Sequence, residues 1–301
     1  MTASIRVIPR LDIKGPNLIK GIEFEGNRVL GHAAQFAKYY YEAGADELIY
    51  QDVVASLYRR NSLLDIIKET ASEIFIPLTV AGGIRSLEDA KEILRAGADK
   101  IAINTAATEN PSLITEIANV FGRQCVVSSI EAYYINGRYQ VWTDYGREVT
   151  KLDAVEWAKQ VADRGAGEIL LTSINRDGTG KGYDLELINA ISSVVDIPVV
   201  ASGGAGSVDD FFSAIDQGGA NAVAAASIFH YEHAEPVDRA YMSFYKDALR
   251  KGEPIDSGNI EFLNGGYGNY RDFFVTPCSI HDVKTSLRNK NYKVRIDGAD
   301  L

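Results

Sequence analysis

The feature that most constrains this chain is that it says one thing twice. Ile76-Pro77-Leu78-Thr79-Val80-Ala81-Gly82-Gly83-Ile84 returns as Ile197-Pro198-Val199-Val200-Ala201-Ser202-Gly203-Gly204-Ala205. Gly44-Ala45-Asp46-Glu47-Leu48 returns as Gly165-Ala166-Gly167-Glu168-Ile169 at the same displacement, so both matches share one register. Solenoid repeats recur every 20–50 residues or so. A displacement this long instead fits two halves of one barrel.

Each copy reads as strand, glycine turn, helix, strand. Ile76–Val80 is a short apolar run that Gly82-Gly83 breaks. Ser86 can cap the next helix, with Asp89 three residues on in the manner of a capping box. Ala90, Ile93 and Leu94 then share one helical face, Gly97 ends the helix, and Lys100–Ile103 starts another strand. A glycine pair at the C-terminal end of a strand lets backbone amides approach a ligand. The helix start beyond it adds a partial positive charge, so the turn suits phosphate. One such turn alone is equally compatible with a tight turn and nothing more. Two in register imply two phosphate sites facing each other.

The other elements fall into the same alternation. Ile5–Ile13 reads as the first strand and delivers Asp12 near its end, before a loop containing Gly15, Pro16, Lys20 and Gly21. Taken alone, Asp12 is also compatible with a turn-initiating or capping carboxylate. Helices over Ala33–Ala43 and Ser62–Ser72 flank a second strand, Glu47–Val53, and Pro111 opens a helix that runs to Phe121. Gln124–Glu131 is the fifth strand and also ends in a carboxylate. Asn136-Gly137 behind it predicts a hairpin at the mouth. After a helix over Asp153–Arg164, the sixth strand, Glu168–Ile174, empties into the glycine-rich loop Asn175–Gly182. That loop suits a phosphate or mere surface mobility. The eighth strand is Ala222–Ala226, followed by Ser227.

The class is therefore α/β, a (β/α)8 TIM barrel of two half-barrel repeats, with its chemistry at the C-terminal strand ends. Its body spans residues 1–230. An insertion follows at 231–278, predicted to hold a helix over Val237–Lys251 and a loop around Gly265-Gly266-Tyr267-Gly268. Residues 279–301 read as a terminal helix and tail closing the barrel. His230 and His233 stand three apart, a spacing open to a metal, but no acidic or thiol partner lies at suitable spacing.

A net charge of −10 argues against nucleic acid or an anionic membrane as a partner. Two cysteines imply no disulfide framework, and no long apolar run or signal-peptide pattern occurs, so a soluble cytoplasmic protein is expected. Nothing points to a nicotinamide, flavin or metal cofactor. Two opposed carboxylates between two phosphate cradles spell acid–base chemistry on a metabolite phosphorylated at both ends.

At these residues the chain resembles the cyclase subunit of imidazole glycerol phosphate synthase, the ammonia-using half of a histidine-pathway glutamine amidotransferase. The likeness runs from about Ile5 to His230, and weakly over Val283–Ile296. It is carried by Leu11-Asp12-Ile13-Lys14, Lys20-Gly21, Gly97-Ala98-Asp99-Lys100, the run Ile103–Ile114, Arg176-Asp177-Gly178-Thr179 and Ala201–Gly206, besides the repeat. The resemblance implies that ammonia from a partner glutaminase attacks the ribulosyl carbonyl of a bisphosphorylated formimino-aminoimidazole carboxamide ribonucleotide. Imidazole glycerol phosphate and an aminoimidazole carboxamide ribonucleotide then leave.

It assigns acid–base work to Asp12 and Glu131. One phosphate goes to Gly83, Asn104 and Thr105, the other to Asp177, Gly178, Gly204, Ala226 and Ser227, and Lys20 lies in a mobile first loop. Arg6, Glu47, Lys100 and Glu168 match an ammonia gate at the N-terminal end of the barrel, beside the glutaminase surface. A ring of alternating charges there would also simply stabilise the floor.

Three departures stand out. Glu131 replaces an Asp, Arg10 stands beside Asp12 where the family has a small residue, and the insertion at 231–278 is extra. They leave room for a paralogue that channels ammonia to another substrate, such as amidination of a surface-glycan sugar. The sister isomerase of the pathway shares the half-barrel repeat but needs no ammonia gate. A non-catalytic scaffold would not need Asp12.

Overall fold

The computed structural model describes residues 4–53, 61–233 and 275–296. The helix predicted over Val237–Lys251 and the loop around Gly265 lie outside these residues. The twelve strands of the described chain are β1 (Arg6–Lys14), β2 (Asn17–Ile22), β3 (Glu25–His32), β4 (Leu48–Asp52), β5 (Leu78–Ala81), β6 (Lys100–Ile103), β7 (Val126–Ile135), β8 (Arg138–Thr143), β9 (Glu148–Asp153), β10 (Glu168–Ser173), β11 (Val199–Ser202) and β12 (Ala222–Ala225). Eight of them (β1, β4, β5, β6, β7, β10, β11 and β12) pair in parallel, and the β12–β1 and β7–β10 pairings close the circle. Helices fill the connections, so the fold is a (β/α)8 barrel, as the repeat predicts.

The repeat is visible in its caps. Ser86 accepts a hydrogen bond from Asp89 N (3.2 Å), and Asp89 in turn accepts one from Arg85 N (2.7 Å). In the second half Asp210 accepts from Gly206 N (2.9 Å) and Ser207 N (2.7 Å). The strand starts match too. Asp99 accepts from Leu78 N and Asn221 accepts from Val199 N, each at 2.9 Å.

Alternation along β1 organises the interior. Val7, Leu11 and Ile13 face outward into the layer beneath the helices. The opposite face carries Arg6, Ile8, Arg10 and Asp12 in turn, at about 6–7 Å per pair of residues. Ile8 joins Ile49, Val127, Leu170 and Val200 in an apolar plug across the middle of the barrel. One strand thus carries a charge to the floor and two charges to the mouth, with an oily layer between.

The first loop needs correcting. The segment read as a loop from Gly15, Pro16 and Gly21 is an antiparallel hairpin, β2 on β3, and β2 also pairs with β1. Its turn uses Glu23 (φ 49°) and Phe24 (φ 66°) in the left-handed region. The hairpin turns Lys20 inward and buries it. The other predicted hairpin forms at Asn136-Gly137 (φ 52° and 78°), and β9 extends it to three strands. A short helix at Thr105–Glu109 was not predicted at all. The terminal helix spans Ile280–Asn289, and beyond it Val294 bridges to Ile5 beside β1.

Candidate active site

Asp12 sits near the end of β1. Glu131, expected to end its strand, instead lies in the middle of β7, which runs on to Ile135 because its outer half pairs with β8; both carboxyls are fully enclosed at the mouth. Their surroundings differ. Asp12 Oδ1 accepts from Arg10 Nε (3.0 Å) and Oδ2 from Lys20 Nζ (3.2 Å). Burial alone would raise the Asp12 carboxyl, but the two cations outweigh it and hold the group below its usual range. Glu131 has a single backbone donor, Gly146 N at 3.1 Å. Burial pushes it up to about 7, although Arg10 pulls the other way. One carboxyl is kept ionised and the other is free to keep a proton.

Arg10, flagged by the sequence as a departure, lies at the centre. Its Nη1 donates to Thr172 Oγ1 (2.9 Å) and Ser202 Oγ (3.3 Å), so strands β10 and β11 fix the guanidinium. Lys20 donates to Asp177 Oδ2 as well (2.7 Å). The carboxylate of Asp177 is therefore taken by a cation, and only its main chain can serve an anion.

The remaining predicted residues divide between two cavities. Gly83, Asn104 and Thr105 line a cleft of about 660 Å³ that also reaches Glu131. Asn104 Nδ2 donates to Trp142 O (3.0 Å), and Thr105 Oγ1 accepts from Asp144 N (3.1 Å), which ties this cradle to the β8–β9 hairpin. Gly178, Gly204, Ala226 and Ser227 line the second cavity together with Arg10, Lys20 and Asp177. That cavity is only about 10 Å³, roughly one water. Gly204 must be glycine: its φ is +112°, and a Cβ would lie 2.2 Å from Gly182 O.

At the opposite end Arg6, Glu47, Lys100 and Glu168 close a ring. Arg6 Nη1 meets Glu47 at 2.7 Å and its Nη2 meets Glu168. Lys100 reaches Glu47 at 3.0 Å and Glu168 at 3.1 Å. Phe75 (81% exposed), Val120 (59%) and Val194 (40%) lie in the segments leading into β5, β7 and β11, at the strand-start end of the barrel where the ring also lies.

The histidines have other work. His230 is buried with Nδ1 2.6 Å from the Tyr40 hydroxyl, and burial lowers it to about 3. His233 stacks on Tyr39 at 3.4 Å. Among the described residues no cluster of three or more His, Cys, Asp or Glu is placed to hold a metal, and no helix is long and apolar enough to cross a membrane. Sequence reasoning passed over Tyr145, which stacks on Phe24 at 4.2 Å over the mouth and lines the larger cleft.

The family model described as "Histidine biosynthesis protein" matches residues 6–235. The chain is 60% identical over 210 residues to the imidazole glycerol phosphate synthase subunit HisF of Legionella pneumophila, spanning 69% of this chain and 99% of the relative. It is 51% identical over 227 residues to the HisF subunit of Alkaliphilus metalliredigens (75% and 90%). Identity to that of Hyphomonas neptunium is 51% over 229 residues (76% and 91%). With the match covering the whole barrel, the chain belongs to the histidine biosynthesis protein family and, within it, to the HisF subunits of imidazole glycerol phosphate synthase.

Proposed function

We propose that this chain closes the imidazole ring, using ammonia delivered by a glutaminase partner and a substrate with a phosphate at each end. What carries the reading is the split between two buried carboxyls set between two glycine-built cradles. Asp12, with a cation on each oxygen, is the base; Glu131, which holds its proton until about pH 7, is the acid. Ammonia nitrogen adds to the ribulosyl carbonyl carbon and the π pair moves to oxygen. Glu131 protonates that oxygen while Asp12 takes a proton from the nitrogen; a second proton passes from nitrogen to oxygen, water leaves and an imine remains. Its nitrogen then bonds to the formimino carbon, closing the ring, and the C–N bond to the aminoimidazole carboxamide ribonucleotide breaks, the departing amine taking up a proton.

Gly83, Asn104 and Thr105 hold one phosphate. Gly178, Gly204, Ala226, Ser227 and the Asp177 main chain hold the other, with Lys20 beside it. Ammonia enters through the Arg6–Glu47–Lys100–Glu168 ring. The apolar plug above that ring passes neutral ammonia far more readily than ammonium, whose burial costs much more. The exposed Phe75, Val120 and Val194 support docking of the glutaminase on that face.

The test is turnover by the purified chain given the bisphosphorylated ribonucleotide and an ammonium salt, with imidazole glycerol phosphate as the expected product. No product, with binding retained, would favour amidination of another substrate. That second reading draws support from Arg10, a cation beside Asp12 with no counterpart in the family pattern.

A further inference from the structure

Among the buried polar atoms of the described residues that have no hydrogen-bond partner, two donors belong to the charged cluster at the barrel mouth. Arg10 is clamped through Nε and Nη1, yet its Nη2 is buried with no partner. Tyr145 is 8% exposed, and its hydroxyl also has none. The Arg10 guanidinium lies 5.5 Å over the Phe24 ring, and Tyr145 stacks on that ring at 4.2 Å, so both belong to one cluster. An orphaned buried donor has lost its water without gaining a partner, and native chains rarely keep one without a use.

Tyr145 carries a second cost. Asp144 and Tyr145 are both left-handed (φ 51° and 55°), a conformation that a bulky residue seldom adopts. The turn is nevertheless fixed from three sides. Asp144 N donates to Thr105, Gly146 N donates to Glu131, and the Tyr145 ring lies on Phe24. The same turn that supplies the one donor to Glu131 therefore holds the tyrosine over the reacting groups. Strain kept at such a place marks function more often than accident.

We propose that Tyr145 is a substrate-contact residue whose hydroxyl, with Nη2 of Arg10, forms a two-donor site for the ligand oxygen that gains negative charge in the reaction. The inference rests on the ring-closing reading, in which that oxygen is the attacked carbonyl. Burial, then the neighbouring carboxylates, raise the phenol well above its ordinary value, so it donates at every working pH and serves as neither base nor nucleophile. Preorganised donors of this kind act mainly on the transition state.

Tyr145→Phe keeps the ring on Phe24 and removes only the hydroxyl. With the bisphosphorylated ribonucleotide and ammonium, kcat should fall about 100-fold with KM nearly unchanged. The pH profile, set by Glu131, should stay in place. Thermal stability should hold or rise, because an unsatisfied group has gone. Unchanged kcat overturns the inference while leaving the ring-closing reading intact, and so does a drop in stability with proportionate loss of activity. A wild-type chain with no turnover overturns both.

Discussion

Replacing Glu131 by glutamine isolates the energetic origin of the acid. The wild-type carboxyl rises from 4.5 to about 7 on folding because it is buried. At 1.36 kcal/mol per pH unit this corresponds to about 3 kcal/mol favouring the protonated over the ionised form in the folded chain. The folded chain binds this proton more tightly than the unfolded chain. Its contribution to stability therefore falls as pH rises through the window from 4.5 to about 7, and levels off above it. Glutamine mimics the protonated acid, and its carbonyl can still accept from Gly146 N. Urea unfolding of the wild type and E131Q should give equal stability at about pH 4, below the unfolded value. The variant should be about 3 kcal/mol more stable at pH 8, where it also lacks turnover. Comparing the two chains at each pH cancels the titration of every other group. A difference that does not change with pH would refute the assignment of Glu131 as a buried, proton-holding acid.

Other perturbations read other parts of the molecule. Lys100→Ala leaves Glu47 and Glu168 sharing Arg6 alone, and should cost about 1–3 kcal/mol by denaturant unfolding, less than a fully dry pair would. In the presence of a glutaminase it should lower glutamine-driven turnover while sparing ammonium-driven turnover. Gly204→Ala puts a Cβ 2.2 Å from Gly182 O at φ +112°, so we expect a loss of about 1–3 kcal/mol and a raised KM for the phosphorylated substrate. Ser86→Ala removes the acceptor for Asp89 N and should destabilise the barrel by about 1 kcal/mol with kcat unchanged.

The fold was legible because its signals are local and doubled. Lys100–Ile103 is the strand predicted, Ser86 is the cap predicted, and Asn136-Gly137 forms the hairpin it advertises. The β2–β3 hairpin was missed for the opposite reason. Its turn residues, Glu23 and Phe24, carry no glycine or asparagine signature, and tertiary contact holds them left-handed. Asp177 O accepts from Glu23 N at 2.8 Å, and Phe24 lies on Tyr145. The place of Asp12 near the end of β1 followed from pattern, whereas the strand holding Glu131 runs on to Ile135 because a hairpin partner extends it. The clamp on Asp12 joins Lys20 and Arg10, side chains whose meeting depends on a hairpin that sequence alone did not reveal. Tyr145 gave no signal, since an orphaned hydroxyl exists only once a chain has packed around it.

The charged ring at the floor bears on how such a molecule arose from two similar parts. Its acids, Glu47 and Glu168, hold equivalent places in the duplication, whereas its bases do not recur. Arg6 and Lys100 open β1 and β6, and the positions that answer them are the uncharged Cys125, just before β7, and Ala222, which opens β12. A homodimer assembled from the second part alone would face glutamate with glutamate. One assembled from the first would crowd four cations around two acids. Neutrality at the base of the barrel is thus a property of the fused, diverged pair, and neither ancestor-like half would possess it.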